Sequence, residues 1–404
     1  MKDLLFASNG HGEDVIAGRV IDRLAALRPG LSVEGWPMVG EGAAYAARGV
    51  AAVGARNLLP SAGFATLDPA LMARDLRAGW IGTYWRQALD ARAMRGRYRM
   101  IVGVGDIVPI GAGVLARTPF VFVGCAKSAY YGPRHGYTGL EKRLLRRHCV
   151  ETYPRDPLTA AELERAGVAC RYLGNPMMDG LEGTGDRLGI APDETPIGLL
   201  AGTRADAETN MVDLIAAAGA APRHVASPAG LRFVFAARPE FDPQAFAPAL
   251  RADPRLGAWR VASAGGAEGV VMRLEHPAGM QVLVAKARFA DVLRLSRVVV
   301  GMAGTANEQA IGLGIPLVTV PSSGVQGERY VRMKMEYFGE AALLAPREPD
   351  AIAAAVAGLL ADPARCARMA AAGRERMGLP GGSDAIAAAI LERLDEITAR
   401  RSAA

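Results

Sequence analysis

The sequence has few aromatic residues, 6% of 404, four scattered cysteines, no long apolar run and a formal charge of only +6 from 47 Lys/Arg against 41 Asp/Glu. Cys125, Cys149, Cys170 and Cys366 form no C-x-x-C pair and have no histidine at zinc spacing. Neither a disulfide framework nor a metal knuckle is indicated, and a reducing cytoplasm is the natural setting. No apolar stretch approaches the roughly 18 to 20 residues of a membrane span. After Met1, Lys2 and Asp3 the apolar run Leu4–Ala7 is too short for a signal peptide. There is no D-x-D pair, no repeat at solenoid period and, in the first loop, no G-x-G-x-x-G fingerprint.

About half of the chain is apolar, with many alanines and 48 glycines, enough to bury a large core through helix packing and tight strand-to-helix turns. Apolar runs recur at Asp3–Ala7, Leu31–Trp36, Met100–Val104, Phe120–Val123 and Arg171–Leu173, then at Ile197–Ala201, Arg232–Ala236, Gln281–Val284, Val298–Val300 and Leu317–Val320. Buried strands alternating with helices predict parallel sheets covered on both faces. Two sets of about five predict an α/β chain with two doubly wound, Rossmann-like domains facing an interdomain cleft. The expected division is 1–178, a linker at 179–196 rich in Gly, Pro and acid, and 197–380. Beyond Pro380-Gly381-Gly382, Ser383 is a candidate N-cap for a last helix over 383–400, whose Ile386, Ile390, Leu394 and Ile397 share one face that must be buried, by returning to the first domain.

In such sheets ligands bind beyond the carboxyl ends of the strands. The first loop there is Ser8-Asn9-Gly10-His11-Gly12-Glu13-Asp14. It reads equally as a turn in which Ser8 or Asn9 caps the helix and Glu13 and Asp14 complement its dipole. His11, between two glycines, is the residue a turn does not explain, and is a candidate general base or substrate clamp. The second is Gly103-Val104-Gly105-Asp106, where the carboxylate is a helix cap, a base, or a partner for a sugar hydroxyl or for His11. The third runs Gly301-Met-Ala-Gly304-Thr305-Ala-Asn307-Glu308 and on through Gly312 to Pro316. Thr305 and Glu308 fit a capping box, while Gly301 and Gly304 leave a helix N-terminus bare enough for a diphosphate. The fourth is the loop 321–329 with Gln326, a solvated turn or a donor contact.

The fifth is electrostatic: between Leu71 and Arg99 seven arginines, Arg77, Arg86, Arg92 and Arg95 among them, are interleaved with Trp80, Tyr84, Trp85 and Tyr98. This is either a solvated helix face or a segment lying on an anionic membrane surface, extended by the nearby Leu58–Phe64. Nucleic acid is the rival partner, since arginine with aromatics also suits single strands; it is discounted because two sugar-nucleotide-type domains, and no recognised nucleic-acid module, accompany the patch.

The G-T-x-x-x-E-x-x-x-x-G-x-P element resembles the nucleotide-sugar site of GT-B glycosyltransferases, and the chain as a whole resembles the lipid-A-disaccharide synthase group and its synthase-related relatives. Supporting matches are Ser8–Asp14, Gly103–Asp106, Cys170–Asp179 (CRYLGNPMMD) and Leu199–Arg204 (LLAGTR). His11 resembles the histidine in the Gly-rich loop of the enzyme that adds N-acetylglucosamine to a lipid-linked peptidoglycan precursor. The resemblance implies that Gly202, Thr203 and Arg204 face donor phosphates, that Gly304, Thr305, Asn307, Glu308 and Gln326 hold the rest of the donor, and that Asp106 is catalytic. Asn9, Gly10, Gly12 and Glu13 then belong to the acceptor loop. The sequence departs from the synthase pattern in SNGHGED and in Ile107-Val108-Pro109-Ile110, both on the acceptor side.

The expected function is therefore an inverting, metal-independent glycosyltransferase that uses no cofactor. It moves a GlcNAc-type hexose from a UDP-sugar to a hydroxyl of a lipid or lipid-linked acceptor. The expected location is cytoplasmic, peripheral on the inner face of the cell membrane, with a homodimer allowed. A UDP-sugar 2-epimerase and an inactive sugar-nucleotide sensor are the alternatives.

Overall fold

The strand Lys2–Ser8 (β1) is buried on both faces from Leu4 onward. Leu4 and Phe6 enter one core cluster and Leu5 and Ala7 the other, as the period of two along a central strand dictates. In the computed structural model, which describes residues 1–57, 80–264, 266–324 and 326–402, β1 is joined by Val33–Pro37 (β2), Ala51–Ala52 (β3), Tyr98–Val104 (β4), Phe120–Gly124 (β5) and Cys149–Pro154 (β6). The order is β3-β2-β1-β4-β5-β6, all pairs parallel. Strand order reverses between β1 and β4, which sets the loops after them side by side.

One face is covered by the helix His11–Leu27 and by the terminal helix Gly382–Ser402. Ile386, Ile390 and Leu394 of the latter pack with Ile16, Val20 and Leu24. The opposite face carries helices Trp80–Ala93, Ile107–Ala116, Gly139–His148 and Pro157–Arg165. Glu151 on β6, 5% exposed, pins the terminal helix: it accepts hydrogen bonds from Arg393 at 3.0 Å and from Arg171 at 2.7 Å. The last helix begins at Gly382, so Ser383 lies inside its first turn rather than capping it; its N–H donates to Asp179 Oδ2 at 2.7 Å.

The second sheet comprises Thr195–Leu200 (β7), Leu231–Ala237 (β8), Arg260–Ala262 (β9), Val270–Glu275 (β10), Gln281–Lys286 (β11), Val298–Gly301 (β12), Leu317–Thr319 (β13) and Ala342–Leu344 (β14). Their order is β14-β13-β12-β7-β8-β11-β10-β9. It is parallel except at the β9–β10–β11 edge, where two antiparallel pairings depart from the all-parallel expectation. The reversal here falls between β7 and β12.

The chain divides into two units, Met1–Asp179 with Gly378–Ala404, and Gly180–Met377. The stretch 179–196 is packed rather than a bare tether, with Leu188 and Ile190 buried against Val234 and Val292. Arg171–Leu173 forms no strand. Only Cys170 bridges Thr152, and the sixth strand of the first sheet is β6.

Candidate functional site

In the first unit the loops after β1 and β4 meet. Gly105, at φ +127°, lets the β4 loop pass beside Asn9: a methyl there would lie 3.8 Å from Asn9 Cβ and 3.2 Å from Glu13 Cγ. The Asn9 amide donates to Asp106 Oδ1 and Oδ2, each at 3.0 Å. Asp106 N-caps the helix Ile107–Ala116, accepting from Val108 N–H at 3.0 Å. Burial pushes its carboxyl up, against the Val108 and Asn9 hydrogen bonds and the nearby Lys127, which favour the charged form. Lys127, on the loop after β5, pairs with the fully buried Glu141 at 2.8 Å.

Neither Ser8 nor Asn9 caps the first helix; Gly10 stands at that position and no side chain bonds the helix end. Ser8 Oγ instead donates to Asp14 at 2.5 Å and lies 2.6 Å from the Tyr45 hydroxyl, all three groups being buried. Asp14 lies in the first turn, as a complement to the helix dipole would, but it is enclosed rather than facing solvent. It is 1% exposed, its Oδ2 lacks a hydrogen-bond partner, and burial raises its carboxyl from 3.8 to about 6. His11 is exposed and rests against the loop after β2, where a methyl on Gly40 (φ +83°) would lie 2.6 Å from its Cε1. Gly10 is similarly closed, by Glu13.

The second unit repeats the geometry with different chemistry. Gly202, at φ +84°, lies against Met302 and Ala303 and brings Ala201–Asp206 beside the start of the helix Thr305–Gly312. The capping box expected of Thr305 and Glu308 is not formed, because the helix begins at Thr305 and Gly304 occupies the uncapped N-cap position. A methyl on Gly304 would lie 2.6 Å from Gln326 Nε2 and 3.2 Å from the Tyr330 hydroxyl. Burial lowers the Arg204 pKa, while Tyr330 and Asp206 nearby act in the opposite sense. Asp206 Oδ2 accepts from Gly324 N–H at 3.1 Å, and Asn210 reaches both Ala201 O and Ser323 Oγ, so the loops after β7 and β13 are tied together.

Two donor candidates sit differently from expectation. Asn307 is 1% exposed and turned inward, its amide donating to Gly301 O and Thr319 Oγ1 at 3.3 and 3.4 Å. Glu308, 5% exposed, is paired with Lys334 at 2.6 Å. Lys334 stands 5.7 and 5.5 Å from the Tyr330 and Tyr337 ring centroids, within cation–π range. Thr203 and Thr305 are exposed. Sequence reasoning missed Tyr330, Lys334 and Lys127; the first two are four residues apart on the helix Glu328–Phe338, a spacing that places them on one face.

Of the basic segment, Arg77, Leu58–Phe64 and the side chain of Trp80 lie outside the described residues. On the helix Trp80–Ala93, Thr83, Gln87 and Ala91 face inward, whereas Trp85 (65%) and Leu89 (48%), one turn apart, are exposed beside Arg86, Arg92 and Arg95. A second basic element was not singled out in the sequence: Arg143, Arg146 and Arg147 are exposed on the helix Gly139–His148, whose Leu140 is also exposed. Among the described residues no helix is long and apolar enough to cross a membrane.

No protein-family model matches the chain, and no curated protein matches it. Solved structures do, and the class they define is the GT-B fold. The calicheamicin glycosyltransferase CalG4 aligns over 97% of this chain and 99% of its own at 16% identity, TM-score 0.60. MurG of Acinetobacter baumannii aligns over 97% and 100% at 14% identity, TM-score 0.54. The UDP-GlcNAc 2-epimerase of Neisseria meningitidis, solved with UDP-GlcNAc bound, aligns over 97% and 100% at 13% identity, TM-score 0.53. At such identities the likeness is one of fold.

Proposed function

We propose that this chain is a sugar-nucleotide enzyme, an inverting, metal-independent glycosyltransferase of the lipid-A-disaccharide synthase type. It moves a GlcNAc-type hexose from a UDP-sugar to a hydroxyl of a lipid or lipid-linked acceptor. The observation that carries this reading is that each unit has its chemistry-bearing loops at the reversal of strand order: Asn9 and Asp106 in one, Gly202–Arg204 and Gly304–Thr305 in the other. Asp106 takes the acceptor hydroxyl proton as that oxygen bonds to the anomeric carbon. The bond from that carbon to the diphosphate breaks on the opposite side, and UDP leaves with the electron pair. Arg204 and the free N–H groups at Gly304–Thr305 stabilise the charge on the departing diphosphate, with Gln326 and Tyr330 alongside. Glu308 receives the ribose, and His11, at the lip of the acceptor loop, clamps the acceptor.

The exposed Trp85 and Leu89 among arginines support work at an anionic membrane surface on the cytoplasmic side, where rings sit at headgroup depth and cations face lipid phosphates. A second reading, UDP-sugar 2-epimerase, is supported by the fold shared with the epimerase that binds UDP-GlcNAc; it needs neither an acceptor nor a membrane. Incubation with labelled UDP-GlcNAc, with and without a membrane lipid extract, separates the two. Label in the lipid phase supports transfer, isomerised donor supports the epimerase, and binding without turnover indicates a sensor and defeats both.

A further inference from the structure

The contact between Asn9 and Asp106 is more constrained than a turn or a helix cap requires. One amide nitrogen is shared between both carboxylate oxygens at 3.0 Å, and Val108 N–H adds a second hydrogen bond to Oδ1, so that Oδ1 receives two and Oδ2 one. The other end of the amide gains nothing: Asn9 Oδ1 is buried without a hydrogen-bond partner. Leaving such an oxygen unpaired costs about 1–3 kcal/mol. Flipping the amide would not relieve this at Asp106, because it would set oxygen against carboxylate. The orientation of Asn9 is thus dictated by Asp106, and an unsatisfied group retained in this way points to a role.

We infer that Asn9 is a positioning residue for Asp106: its amide fixes the carboxylate plane through both oxygens and, because Val108 N–H bonds Oδ1 as well, Oδ2 is the less engaged oxygen and the one that receives the acceptor proton. The assignment of Oδ2 rests on the transferase reading; the positioning does not. Hydrogen bonds to the charged form offset the burial that pushes Asp106 toward neutrality. The other titratable groups around this carboxylate are Lys127 and Glu141, Glu13 from the helix His11–Leu27, and the buried Cys125. None of these can supply the planar, two-oxygen contact that Asn9 makes.

The test is a carbon-detected titration of the full chain carrying 13C-carboxyl aspartate, with the Asp106 signal identified as the one missing in Asp106→Asn. In Asn9→Ala the midpoint rises by about one pH unit, and in Asn9→Ser, which keeps a single donor, by less. In the unmutated protein the Asn9 side-chain amide protons follow the same midpoint, a measurement that needs no variant to fold. A midpoint within about 0.2 of wild type in the folded variants, or amide protons indifferent to it, overturns the positioning role. If membrane extract yields no glycosylated lipid, the transferase reading fails while the titration still decides the role of Asn9. If transfer occurs but the acid limb of kcat does not move with the Asp106 midpoint in Asn9→Ser, the assignment of Oδ2 as the proton acceptor is wrong.

Discussion

The two units differ in how the helix ends beside their strand reversals are closed. In the first, the helix after β1 starts uncapped at Gly10, but Asp106 caps the one after β4, Thr138 the helix Gly139–His148 and Asp156 the one after β6. In the second, Asp242 caps the helix Pro243–Ala252 after β8, but the helices after β7, β12 and β13 start at Asp206, Gly304 and Gly327 without any side-chain cap. A capped end has its N–H groups occupied and carries a carboxylate or hydroxyl, whereas an open end presents N–H groups and a positive dipole to an anion. On the proposed reading, one doubly wound plan carries acid–base chemistry at the first rim and anion binding at the second, and cap residues contribute to that difference.

Asp106→Asn gives the largest expected effect. Sugar transfer falls by about 10²–10⁴-fold while UDP affinity, measured calorimetrically, stays within about twofold, since the open rim is untouched. Equal losses in both would break the division of labour between the units. Next comes the buried acid of the first unit. Because the folded state holds the Asp14 proton up to about pH 6 and the unfolded chain releases it near 3.8, stability falls as pH rises through that window, by up to about 3 kcal/mol. Denaturant titrations at pH 4 and 7 measure this, and Asp14→Asn removes its share of the slope; an unchanged slope would mean that Asp14 ionises normally. Closing the open rim has a smaller effect. Gly304→Ala, whose methyl meets Gln326 and Tyr330, weakens UDP binding about tenfold, roughly 1.4 kcal/mol, with the Asp106 titration unmoved. The smallest effect is on the outer face: Arg92→Ala weakens sedimentation with anionic liposomes by roughly 1 kcal/mol and leaves UDP affinity as it was.

Much of this was legible because the determining contacts are local in sequence. Continuous aliphatic runs announced β1, β4 and β5, glycines next to their ends announced the turns, and Asp106 was visible as a carboxylate ending a buried strand. What was not legible depends on partners far along the chain. The β6 sequence CVETYP carries a glutamate that looks wrong for a buried strand until Arg171 and Arg393, 20 and 242 residues away, are brought to it. Glu308 was placed correctly at its helix, but the lysine 26 residues on that shares its carboxylate was not. Asp14 was legible as an acid in the first turn of its helix, but not its burial, because Tyr45, which closes the group with Ser8, lies 37 residues beyond Ser8.

The crossings between the units are both held within the first. Asp179, where the chain leaves, accepts hydrogen bonds from the N–H groups of Gly381 and Ser383, just beyond where it returns at Gly378, and Asn175 N–H donates to Leu379 O at 2.7 Å. In chain topology the second unit is therefore an insertion into the first, entering and leaving through a single clasp. Excising 180–377 and joining Asp179 to Gly378 through a short linker leaves a continuous polypeptide whose sheet, terminal helix and Asn9–Asp106 contact are all encoded in what remains. The first unit is thus built from two stretches of chain that meet at one point, so its sheet owes no strand to the inserted unit.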